Sequence, residues 1–163
     1  MQLADELPYA LIASEKAPRL LAELQALTLW HQQQCPAYQK LLQAQWPDFP
    51  TTIDNTELAT EALAQLPYLA VRLFKQLELR SVATEAVFKT LYSSGTTGTP
   101  SRIFLDRDSA AVQSKILVKI MQHWLGKARL PMLILDHPGV ISDRSSFSAR
   151  GAGIQGLSFM GRN

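Results

Sequence analysis

The chain has 163 residues, 47% of them hydrophobic and 18% charged, and its formal net charge is +2. This composition is typical of a globular protein with a hydrophobic core and excludes a disordered chain, and the near-balanced charge indicates no nucleic-acid partner. The single cysteine excludes an internal disulfide and, with no signal-peptide pattern and no apolar run long enough to span a membrane, favours a cytoplasmic protein.

Residues 1–80 predict a helical N-terminal segment with short breaks. Pro36 suits the first turn of a second helix, because a proline there lacks only an N–H that has no partner. Two prolines predict a loop at 46–50, and the spacing of Asp54 and Glu57 favours a cap for a third helix ending near residue 65. The first helix carries an apolar stripe at helical spacing, made of Leu20, Leu21, Leu24, Leu27 and Trp30.

Residues 81–163 change to a pattern that predicts the start of an α/β unit. The β-forming residues 86–92 and 102–105 favour two strands, and the small residues between them predict a loop. We therefore expect a strand–loop–strand in this part of the chain.

A helix and a further strand are predicted after that hairpin. The helix has Asp108 or Ser109 as its N-cap and ends at Gly126. Residues 131–135 form a continuously apolar run, which predicts a buried strand, and the Gly-, Ser- and Arg-rich remainder predicts no clear element. The expected apolar face of the helix comprises Val112, Ile116, Leu117, Ile120, Met121, Trp124 and Leu125.

The order of elements predicts an α/β fold in which a helical segment precedes the first strands of a mixed sheet. Two or three strands rarely complete a sheet, so we expect residues 1–163 to be one truncated domain.

The loop between the two strands has the chemistry of a phosphate site. Glycine allows a close backbone approach and positive φ, and hydroxyl and backbone N–H groups donate to phosphate oxygens. Pro100 stiffens the exit of the loop and Arg102 adds a cation. The candidate phosphate-binding residues are Ser93, Ser94, Gly95, Thr96, Thr97, Gly98, Thr99 and Arg102.

Other interpretations of the loop fit less well. A Walker loop needs a lysine after its second glycine, and a dinucleotide loop opens directly into a helix. A hairpin turn without a ligand is the remaining alternative.

The string from Ser93 to Pro100 resembles the phosphate-loop signature of the adenylate-forming superfamily. The sequence departs from that signature at Ser101, where the superfamily usually has Lys or Arg, and Arg102 follows one place later. Together with this loop, three flanking pieces resemble the branch that contains the LuxE-type acyl-protein synthetases and the phenylacetate–CoA ligases. They are residues 35–38, 66–75 and 148–154.

The resemblance implies ATP and Mg²⁺ as cofactors and a two-step reaction. A fatty or aryl carboxylate attacks the α-phosphorus of ATP, which gives acyl-AMP and pyrophosphate, and a thiol then takes the acyl group. That thiol would be a downstream cysteine of the enzyme, a partner protein or coenzyme A. The superfamily's catalytic residues lie downstream, so the catalytic residues here stay unknown.

Two alternatives to the acyl-protein synthetase remain open. One is an acyl- or aryl-CoA ligase, and the other is a non-catalytic remnant or interaction module of the same fold. We predict no metal site from His31 and Cys35, because the chain offers too few ligands, and we expect Cys35 to be a small buried side chain. For Asp136 and His137 we predict a turn.

Overall fold

The computed structural model describes residues 2–50, 59–93, 98–137, 139–142 and 149–162. The chain forms two units, of which the first contains residues 1–70 and 79–82 and the second contains residues 71–78 and 83–163. The domain boundary expected at residue 80 stays a prediction.

The first unit is helical, as predicted. A 3-10 turn at Gln2–Asp5 precedes α1 (Ala13–Gln34), α2 (Pro36–Gln45) and α3 (Ala59–Ala62), and a second 3-10 turn covers Leu63–Gln65. Pro36 occupies the first turn of α2, which confirms its predicted role. The predicted cap at Asp54 and Glu57 lies outside the described residues.

The core of the helical unit joins α1, α2, α3 and the loop after α2. Leu42 is 1% exposed, and the buried cluster comprises Leu21, Leu42, Phe49 and Ala62. The stripe predicted on α1 is only partly buried, because Leu21 lies in the core whereas Trp30 is 41% exposed. The ring of Trp30 instead packs edge-on against the ring of His31, with 4.8 Å between centroids.

The second unit begins with a short helix, α4 (Leu73–Gln76), and then contains the predicted hairpin. Strand β1 (Lys89–Tyr92) pairs antiparallel with β2 (Arg102–Leu105), with Tyr92 opposite Arg102. The first strand is shorter than predicted, because residues 84–86 form a 3-10 turn before it.

Helix α5 (Arg107–Leu125) begins earlier than predicted. Its N-cap is Asp106 and neither Asp108 nor Ser109, because Asp106 Oδ1 accepts a hydrogen bond from the Ser109 N–H at 2.7 Å. Hydrogen bonds from Ser109 also lower the pKa of the Asp106 carboxyl. The helix ends at Gly126, as predicted, where φ is +78°.

The buried strand predicted at residues 131–135 is wrong. Strand β3 covers only Leu130–Pro131, and Leu133 and Leu135 are 84% and 89% exposed. A continuously apolar strand is buried only when other layers cover both of its faces, and these side chains have no such cover within the described residues.

The α/β class is confirmed, but the single mixed sheet is not found in the described part of the chain. Strand β3 pairs in parallel with β4 (Gly161–Arg162), and this pair is separate from the antiparallel hairpin.

Two helices lie in the segment for which no element was predicted. They are α6 (Gly139–Ser142) and α7 (Ala149–Ser158). Helix α7 contains three glycines, which disfavour a helix by propensity alone. At Gly156 a Cβ atom would lie 3.1 Å from a methyl carbon of Leu117 on α5, so the glycine permits a close approach of the two helices.

Candidate phosphate-binding loop

The base of the hairpin loop is closed by two serines. The Ser93 N–H donates to the Ser101 carbonyl at 3.2 Å, and the Ser101 N–H donates to the Ser93 hydroxyl oxygen at 2.9 Å. Ser101 is buried at 7% exposure, whereas Ser93 is exposed. The two ends of the loop are therefore held together directly after β1 and directly before β2.

The described part of the loop itself faces open space. Gly98 has φ +103°, a conformation that side-chain-bearing residues rarely adopt, and a Cβ there would meet no atom within 4 Å. Thr99 is exposed beside it. This combination of an open glycine and an exposed hydroxyl fits a loop that a polyphosphate approaches closely.

The remaining candidate residues are distributed as follows. Ser94, Gly95, Thr96 and Thr97 lie outside the described residues, so their assignment stays a prediction. Arg102 is the first residue of β2 and follows directly from the base of the loop. The hairpin thus brings together Ser93, Gly98, Thr99 and Arg102.

Arg102 has two neighbours in its own unit. Its guanidinium lies 3.8 Å from a carboxylate oxygen of Glu78 and 5.9 Å from the centroid of the Phe104 ring. Both charged side chains are more than a third exposed. Ser101 occupies the position where the resemblance leads one to expect a cation, and it is buried. Arg102 is the next residue along the chain, and it places a cation beside the base of the loop.

A cleft of about 600 Å³ lies at the opposite end of the hairpin, where β1 begins and β2 ends. Its charged lining consists of Glu85, Asp106, Asp108 and Arg107, and the Arg107 guanidinium stacks 4.7 Å from the centroid of the Phe88 ring. Three carboxylates against one cation disfavour an anionic ligand there. The electrostatics of the unit therefore favour the loop end for phosphate.

In the helical unit, His31 has a partner that the sequence analysis missed. His31 Nδ1 lies 2.7 Å from the hydroxyl oxygen of Ser81, which is 50 residues away in sequence and gives no local signal. Burial lowers the pKa of His31. Cys35 is 2% exposed, which confirms that it is a buried side chain.

The predicted turn at Asp136 and His137 is held by local hydrogen bonds. Asp136 Oδ1 accepts from the His137 N–H at 2.7 Å, and His137 Nδ1 accepts from the Gly139 N–H at 3.1 Å. Both side chains therefore support the backbone before α6. Among the described residues, no three His, Cys, Asp or Glu side chains converge as a metal site would require.

The fold and the loop define an α/β protein whose hairpin carries a Ser/Thr/Gly loop. Comparison with protein families matches residues 2–155 to the family described as "Acyl-protein synthetase, LuxE". The chain belongs to this acyl-protein synthetase family. Comparisons with curated proteins and with solved structures gave no match. Within the described residues, the helices are too short or too polar to cross a membrane.

Proposed function

We propose that this chain provides the ATP-phosphate-binding loop of an acyl-protein synthetase, which activates a carboxylic acid as acyl-AMP and passes the acyl group to a thiol. The proposal is supported by membership of the acyl-protein synthetase family. The single structural observation behind it is the open, positive-φ Gly98 in a loop whose ends are hydrogen-bonded together.

The chain's own groups would bind and orient the triphosphate. The exposed Thr99 hydroxyl and the backbone N–H groups of the loop are donors, and Gly98 leaves room for phosphate oxygens to reach them. Mg-ATP would supply the adenylyl group and the leaving pyrophosphate. The predicted residues Ser94, Gly95, Thr96 and Thr97 would add donors of the same kind.

Arg102 would supply the positive charge next to the loop. Its contact with Glu78 is long and the pair is largely exposed, so the contact contributes only about 0–1 kcal/mol. Phosphate oxygens form stronger charge-assisted hydrogen bonds with a guanidinium. Arg102 could therefore leave Glu78 and bind a phosphate at little cost in free energy.

The acceptor thiol is not Cys35. This is the only cysteine in the sequence, and a side chain that is 2% exposed cannot meet an activated acyl group without unfolding around it. The acceptor is therefore a thiol outside these 163 residues, on protein or on coenzyme A. The family match favours a protein thiol, and acid-dependent acylation of coenzyme A in place of protein would identify the ligase alternative.

The loop assignment is tested by Gly98→Ala, with Gly126→Ala as a matched control. Both glycines have positive φ, and a Cβ added at either would meet no atom within 4 Å, so alanine strains the backbone at each position without a steric clash. We expect Gly98→Ala to weaken Mg-ATP binding about tenfold in calorimetry and Gly126→Ala to leave it unchanged.

Equal effects of the two substitutions on Mg-ATP binding would contradict the loop assignment. The activity is tested on the full-length product of the gene by acid-dependent exchange of labelled pyrophosphate into ATP, with fatty and aryl acids as substrates. Lack of exchange with every acid, despite Mg-ATP binding, would favour the non-catalytic module.

A further inference from the structure

The hydroxyl of Ser93 accepts a hydrogen bond that a backbone carbonyl normally accepts in a hairpin. In a regular antiparallel pair, two facing hydrogen-bonded residues exchange both N–H···O=C bonds. Ser93 and Ser101 continue the register of Tyr92 opposite Arg102, and the Ser93 N–H donates to the Ser101 carbonyl in the regular way. The return bond differs, because the Ser101 N–H donates to the Ser93 side chain.

This substitution has a structural consequence at the base of the loop. The Ser101 N–H keeps an acceptor, so the backbone carbonyl of Ser93 is not needed for that bond. Ser101 is 7% exposed, and a buried N–H without an acceptor is costly. The Ser93 hydroxyl therefore holds the end of the loop at the start of β2.

We propose that Ser93 is a positioning residue, whose hydroxyl closes the base of the loop on the Ser101 N–H and so preorganises the donors that receive phosphate. This inference rests on the proposed function and changes one assignment within it. Ser93 would act on the ligand through Ser101 and the loop geometry, and direct contact with phosphate would not be its main role. A loop with its ends already held together loses less conformational freedom on binding.

The experiment uses the 163-residue chain with Ser93→Ala, Ser93→Thr and the control Ser114→Ala. Ser114 lies on α5 of the same unit, is exposed, and donates to the Ala110 carbonyl of its own helix. The first readout is hydrogen exchange of the Ser101 amide, measured by NMR without nucleotide. The second readout is the dissociation constant for Mg-ATP and for magnesium pyrophosphate, measured by calorimetry.

We expect Ser93→Ala to speed exchange of the Ser101 amide about tenfold and to weaken both ligands about five- to tenfold, as the loss of one hydrogen bond would. Ser93→Thr keeps a hydroxyl and should restore both readouts to within about twofold of the wild type. Ser114→Ala should leave both unchanged.

The other possible outcomes would contradict either the positioning role of Ser93 or the proposed function. Weaker binding with unchanged Ser101 exchange would mean that the Ser93 hydroxyl contacts phosphate, which overturns the positioning role. Faster exchange with unchanged binding would also overturn it. A wild-type chain that binds neither ligand would overturn the proposed function itself, whatever the exchange rates are.

Discussion

The helical unit and the loop-bearing unit bury their apolar side chains very differently. In the helical unit, Leu21, Leu42, Phe49 and Ala62 form one buried cluster. Among the described residues of the other unit, Met160 is the only large apolar side chain that is buried. Every residue from 123 to 135 in that unit is exposed, although most of this stretch is apolar.

This difference indicates that different forces shape the two units. Burial of apolar surface stabilises the helices of the first unit. The hairpin of the second unit is set by polar contacts, namely the paired serines at the base of the loop and the Asp106 cap on α5. Three comparisons between variants test this contrast.

The largest effect is expected from truncation in the helical core. Leu42→Ala removes a side chain that is 1% exposed and should lower the free energy of unfolding by about 2–5 kcal/mol. Leu133→Ala removes the same atoms from a residue that is 84% exposed and should change it by less than about 0.5 kcal/mol. Urea denaturation measures both, and equal losses would show that the apolar stretch of the second unit is buried in solution.

A smaller effect is expected where a cation is placed at the base of the loop. Ser101→Lys brings an ammonium group to a position that is 7% exposed, and should cost about 1–3 kcal/mol of folding free energy. The matched control, Ile103→Lys on the same strand, begins from 37% exposure and should cost less than about 0.5 kcal/mol. A Ser101→Lys chain that is as stable as the wild type would contradict the closed base of the loop. It would also show that position 101 can accommodate the cation expected by resemblance.

The smallest effect is a pH dependence in the helical unit. Burial lowers the pKa of His31 below 6.5, so the folded state favours the neutral ring. Its contribution to stability is complete above pH 6.5 and is lost as the pH falls through the lowered pKa, because the unfolded chain binds the proton first. Relative to His31→Gln, the wild type should therefore lose stability on acidification in urea titrations, and parallel pH profiles would exclude this role for His31.

The local elements that the sequence predicted correctly have strong local signals. Pro36 begins a helix and Gly126 ends one because their backbone preferences act within a few residues. The predicted N-cap of α5 was wrong because three neighbouring residues, Asp106, Asp108 and Ser109, are all good capping residues. Only the hydrogen bond seen in the structure selects Asp106.

Features that depend on distant contacts were not predicted. The Ser81 partner of His31 is separated from it by 50 residues. Helix α7 forms despite its glycines and packs close to α5 through Gly156, so the feature that lowers its propensity also permits this contact. Residues 131–135 have the composition of a buried strand, but their burial depends on neighbouring layers, and composition does not supply these.

At the candidate site, the residue types could be read from the sequence: hydroxyls, glycines and a following arginine between two strands. These types follow from the chemistry of phosphate, which needs small residues and many donors. The burial of Ser101, the hydrogen bond from the Ser101 N–H to the Ser93 hydroxyl, and the position of Arg102 beside Glu78 are visible in the fold and could not be read from the sequence. The physical reason is that burial and pairing depend on which chain segments meet in space, and residue type alone does not specify those contacts.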